Sequence, residues 1–131
     1  MNKSEIELVR KSYRNWSDDP KMILTFYDQL LSSAPELAPM FTNTDMEKHN
    51  QLLRKVINTL IEHVEGDKEA TVWLKELRQM HTRGLEIQAE YFPLWKNSML
   101  FAIAAHDEDW EKKVNIAWNH LFDEGIKFMV R

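Results

Sequence analysis

Residues 46–64, MEKHNQLLRKVINTLIEHV, carry the pattern that fixes the fold class. Met46, His49, Leu53, Val56, Ile57, Leu60 and Val64 recur at intervals of three and four, which lays them along a single stripe of an α-helix. The run Glu65-Gly66-Asp67 ends it. A helix with one apolar stripe has to bury that stripe against other elements, and the flanking sequence supplies only more helices.

Upstream, Asp18-Asp19-Pro20 predicts a helix start, because Asp caps well and Pro suits the first helical position. Ile23, Phe26, Tyr27, Leu30 and Leu31 follow at helical spacing, and Pro35 and Pro39 then break the chain into a tight corner. That corner delivers Met40-Phe41 ahead of the polar turn Thr42-Asn43-Thr44-Asp45. Before it, Ser4 and Glu7 read as the capping box of a first helix bearing Ile6, Val9, Tyr13 and Trp16. Downstream, a fourth helix from about Glu69 aligns Trp73, Leu77, Met80, His81 and Gly84, and Glu86 to Tyr91 connects it onward. Pro93 opens a fifth, through Leu94, Met99, Leu100 and Ile103, that stops at His106-Asp107-Glu108-Asp109. A last helix from about Trp110 carries Val114, Ala117, Trp118, Leu121, Phe122 and Ile126. With no repeat, low-complexity stretch or linker, one all-α domain over residues 1–131 is expected.

Composition narrows the function classes. The chain has no cysteine, which excludes disulfides, thiolate metal sites, iron–sulfur clusters and cysteine nucleophiles. Its three glycines, Gly66, Gly84 and Gly125, stand too far apart for GxGxxG, a phosphate-cradling loop or a GxSxG elbow. A net charge of −4 without any basic run argues against a nucleic-acid partner. No apolar run reaches the roughly 20 residues of a membrane span. Met1-Asn2-Lys3-Ser4-Glu5 leads into an amphipathic segment and not an apolar signal, so a cytoplasmic protein is expected.

Five histidines are the candidate chemistry: His49, His63, His81, His106 and His120. None follows a Glu by three residues, which excludes the ligand pairs of carboxylate di-iron bundles, and HExxH is absent. His63, His106 and His120 read as rim or solvent-facing residues. His49 and His81 lie on the apolar stripes of neighbouring helices, where a buried imidazole needs a hydrogen-bond partner or a metal. With Tyr27 and the corner Phe41 nearby, they form a set that suits a flat porphyrin in an apolar pocket, imidazole being a good iron ligand.

The runs Phe26-Tyr27-Asp28-Gln29-Leu30-Leu31 and Pro35-Glu36-Leu37-Ala38-Pro39-Met40-Phe41 resemble the second helix and corner of bacterial single-domain globins. Leu77-Arg78-Gln79-Met80-His81 is similar to their proximal-histidine segment. Tyr91-Phe92-Pro93-Leu94-Trp95 and Ala117-Trp118-Asn119-His120-Leu121-Phe122 resemble parts of the last two helices, so the likeness spans nearly the whole chain. It implies a globin-like fold around haem b, with His81 as proximal iron ligand and His49 facing the sixth coordination position. It further implies Tyr27 as a hydroxyl donor to a ligand there, Phe41 stacked on the porphyrin, and Leu53 one turn beyond His49. Val56, Ile57, Leu77, Ile87, Phe92 and Phe122 would complete the pocket wall.

What the resemblance implies for function is reversible binding of oxygen or another diatomic ligand (CO, NO) for storage, delivery or detoxification. His49 on the iron itself is the alternative, and the sequence leaves a five- or six-coordinate haem open, with a free distal side favoured because Tyr27 is also available. Phe92 stands where flavohaemoglobin-type globins carry a Tyr of a proximal relay, and Gly84 follows His81 sooner than in the pattern. Without that relay, binding is expected over catalysis. The other readings are a haem-free globin-fold sensor or interaction module, and a small haem redox enzyme acting on nitric oxide, nitrite or peroxide with an external reductase. Arg54, Arg83 and Lys96 could reach a haem edge, though each reads first as a solvated surface charge. Some of Trp16, Trp73, Trp95 and Trp110 could serve a homodimer interface, though core or partly exposed packing is the first expectation, and monomer and homodimer both remain open.

Overall fold

The computed structural model describes residues 1–41, 45–83 and 89–129, with the backbone alone for 40, 80–83 and 89. Six α-helices appear among them: α1 (Lys3–Trp16), α2 (Pro20–Ser33), α3 (Met46–Val64), α4 (Lys68–Arg83), α5 (Phe92–His106) and α6 (Lys112–Met129). Two 3-10 segments, Pro35–Phe41 and Ala89–Tyr91, make corners before α3 and α5. No strand occurs among the described residues, and the all-α expectation holds. None of the described helices is long and apolar enough to cross a membrane.

The helix ends follow local chemistry. Asp19 caps α2 by accepting from Lys21 N, with Pro20 in the first turn as expected. The cap of α1 lies two residues earlier than Ser4: the Asn2 side chain accepts from Glu5 N, and the Glu5 carboxylate accepts from Asn2 N. Asp45, expected in a turn, caps α3 by accepting from Glu47 N and Lys48 N. After α3 the chain reverses through Gly66 at φ +94°, a left-handed conformation that glycine adopts without steric cost. The turn residues 42–44 lie outside the described residues.

Packing joins distant helices. α2 lies along α5, α1 against α6, and α3 against α4. A run of aromatic rings threads the interior: Trp16 lies 5.8 Å from Trp118, Trp118 stacks on Phe122 at 5.2 Å, and Trp95 meets Phe122 edge-on at 5.2 Å. Phe26 continues it toward Tyr27 at 4.9 Å. Trp16, considered for an interface, is therefore core at 1% exposure, and Trp73, Trp95 and Trp110 pack partly buried against that core. Offset and edge-on ring pairs add about 0.5–1.5 kcal/mol each beyond the area they bury.

Beneath this run sits a polar staple invisible to periodicity. Asp107 is 5% exposed, and its carboxylate accepts from Ser12 Oγ at 2.5 Å, Asn15 Nδ2 at 2.7 Å and Asp109 N at 2.9 Å. Ser12 in turn accepts from Trp118 Nε1 at 2.8 Å, so one buried network ties α1, the end of α5 and α6 together. Nearby His106, read as a rim residue, bonds Thr25 Oγ1 at 2.8 Å and Asp19 Oδ2 at 3.1 Å and fastens the end of α5 to the start of α2.

Candidate functional site

These contacts leave a cavity of about 370 Å3 between α2, the Pro35–Phe41 corner, α3, α4, α5 and α6. Its volume lies in the range of about 300–1,000 Å3 common for small-molecule and cofactor sites. Tyr27, Phe41, His49, Leu53, Val56, Leu77, Phe92 and Phe122 all line it, which brings eight of the sequence-derived candidates to one place. The helical period explains the α3 wall: His49, Leu53, Val56 and Leu60 turn toward the cavity.

Ile57 corrects the sequence reading. It is fully buried, yet it is not a cavity residue. One residue beyond Val56 is a rotation of about 100° around the helix, and that rotation turns Ile57 with Ile61 into the packed interior. His81 lies in the last turn of α4, but its side chain and the whole of Ile87 are outside the described residues. Of the proposed edge cations, Lys96 pairs with Asp123 at 2.6 Å and so bridges α5 to α6; the Arg83 side chain is outside the described residues.

Tyr27 and His49 stand together in this largely apolar wall, and Tyr91, which also lines it, turns its hydroxyl to Glu36 at 3.4 Å. The Tyr27 hydroxyl is hydrogen-bonded to His49 Nδ1. Phe41 completes a near-equilateral triangle with them, its centroid 5.5 Å from Tyr27 and 5.6 Å from His49, while Tyr27 and His49 are 5.5 Å apart. The corner thus acts as a wedge against the first turn of α3, and the two prolines that break the chain place Phe41 there. Burial holds the His49 pKa below its usual value near 6.5, so the imidazole is neutral at pH 7.

That depression has a measurable consequence. Between the lowered folded value and the unfolded value near 6.5, the unfolded chain binds more protons at His49, so stability falls as pH drops through this window. Urea midpoints for the wild type and His49→Gln, taken from pH 8 to pH 5, should diverge below about pH 6.5, with the wild type losing more. Parallel curves would contradict a buried neutral imidazole.

The sequence reading missed the far wall. Leu74 on α4 and Gly125, Ile126 and Met129 on α6 extend the cavity past Phe122. The available signal was Gly125, a glycine in an otherwise apolar helix, which marks a close approach. A Cβ there would stand 3.0 Å from Leu60 Cδ2, so α6 crosses α3 at that point.

The model of the globin family matches residues 24–129, from early α2 to the end of α6. The chain belongs to the globin family. A crystal structure of a protein from Pseudomonas aeruginosa PAO1, described as structurally highly homologous to a human hemoglobin, superposes with a TM-score of 0.87. It shares 29% sequence identity with this globin, over 95% of each chain. No curated protein matches the chain. In this globin, candidate residues on α2, the corner, α3, α4, α5 and α6 converge on the cavity.

Proposed function

We propose that this globin binds haem b in the cavity and reversibly holds a diatomic ligand, oxygen foremost, on it. The observation that carries the proposal is a largely apolar cavity in whose wall Tyr27 and His49 are hydrogen-bonded to each other, beside the α4 helix whose last turn bears His81. The residues present fit the group. Leucine, valine and phenylalanine walls suit a flat macrocycle, and neutral imidazole suits iron. Haem, when bound, supplies an iron atom able to take up a small neutral ligand. The chain's residues would do the rest: His81 would offer an imidazole nitrogen to the iron, and Phe41, Val56, Leu77 and Phe122 would exclude water from the ring. His49, with Tyr27 hydrogen-bonded behind it, would present a hydrogen-bond donor to a polar diatomic, contributing about 0.5–1.5 kcal/mol against its release. The likeness to the hemoglobin-like Pseudomonas protein supports the same reading.

Titration of haem into the haem-free protein tests it. One equivalent should give an intense Soret band, and His81→Ala should abolish that band or convert it to that of a differently ligated haem. A folded helical protein that takes up no haem would overturn the proposal.

A further inference from the structure

The hydrogen bond between Tyr27 and His49 has a direction. Tyr27 is 6% exposed, and among the described residues neither its hydroxyl nor the His49 ring has a second partner. If His49 Nδ1–H were the donor, the phenol proton of this buried ring would have no acceptor among the described residues, with the Phe26 and Phe41 rings packed against it. If Tyr27 donates, its proton is satisfied and only oxygen lone pairs are left over, which costs less. The intrinsic chemistry agrees, since a phenol is the better donor of the two and an imidazole nitrogen the better acceptor. Phe41, in contact with both rings, keeps them in register for this bond.

We propose that Tyr27, by donating to Nδ1, fixes His49 in the Nε2–H tautomer and so withholds it from the haem iron. An imidazole binds a metal through a nitrogen lone pair, and the hydrogen bond at one ring nitrogen sets the state of the other. Here the Nδ1 pair is engaged by the phenol and Nε2 carries the proton, so no lone pair is free. Ligation by His49 requires that the Tyr27 bond be given up or reversed, with Nδ1–H donating and the phenol proton turned away from the ring. The inference rests on the haem reading above and adds to it: the sixth position stays open, and the side chain that keeps it open is Tyr27.

Two measurements test it. Histidine 15N chemical shifts in the haem-free protein, assigned against His49→Gln, should show His49 as the Nε2–H tautomer; the Nδ1–H form would overturn the inference. In the haem-loaded, reduced protein, the wild type should give one broad visible band. Tyr27→Phe should raise the six-coordinate, paired-band fraction about three- to tenfold, as expected for loss of one hydrogen bond. Tyr27→Phe combined with His49→Leu should restore the broad band, and circular dichroism should show all variants folded. Paired bands in the wild type, or an unchanged Tyr27→Phe spectrum, would overturn this inference while leaving haem binding intact. Absence of any Soret band would instead overturn the haem reading, and this inference with it.

Discussion

Replacing Asp107 by Ala should lower the stability of the fold by about 3 kcal/mol, a drop in melting temperature of about 10 °C for a chain of this length. The carboxylate accepts from a hydroxyl, an amide and a backbone N–H. Its removal strands Ser12 Oγ–H in the interior, at roughly 1–3 kcal/mol for an unsatisfied buried donor, and frees one proton of the half-buried Asn15 amide. Part of that loss is returned, because the variant no longer desolvates a carboxylate. Asp107→Asn keeps the shape and one acceptor, and should cost about half as much. Thermal unfolding of the haem-free proteins, followed by far-UV circular dichroism, measures both. Equal stability of wild type and Asp107→Ala would mean that the network does not hold α1 to α6.

Val56→Trp should produce the opposite pattern, a large loss of haem affinity with no loss of stability in the haem-free state. Val56 lies on the cavity face of α3, half-buried, with empty space in front of it. An indole fills part of the 370 Å3 that a macrocycle would need. Forcing extra volume into an occupied site costs about 1–3 kcal/mol, roughly ten- to a hundredfold in affinity. In the haem-free protein the same ring buries apolar surface in a void and should leave the melting temperature unchanged or higher. Ile57→Trp is the control: that side chain is 0% exposed in the packed interior, so the substitution should destabilise the fold outright. If Val56→Trp left haem affinity unchanged, the cavity would not be the haem site.

The helices were legible because their stripes are local. His49, Leu53, Val56 and Leu60 repeat at the helical period and face one cavity, and Asp19-Pro20 marks the start of α2 from chemistry within three residues. The first cap was misplaced for an equally local reason. Asn2 with Glu5 and Ser4 with Glu7 both satisfy the capping-box spacing, and the earlier pair adds part of a turn to α1. Ile57 was misassigned because a stripe read from sequence spans more than a quarter of the helix circumference, and only the neighbours decide which edge faces a cavity. The Asp107 staple was beyond reach: Ser12 and Asp107 stand 95 residues apart, and an Asp after a helix reads as a polar stop. Tyr27 and His49 were legible as candidates, whereas their mutual hydrogen bond depends on how the 3-10 corner turns Phe41 against both rings.

The most direct measurement of the central claim is the visible spectrum of the haem-reconstituted, dithionite-reduced protein before and after carbon monoxide. A globin with haem in this cavity and His49 held back by Tyr27 should show one Soret band per chain. That band should shift and sharpen on addition of one equivalent of carbon monoxide, and return on photolysis. A protein that folds but gains no Soret band, or whose haem spectrum ignores carbon monoxide, would contradict the account.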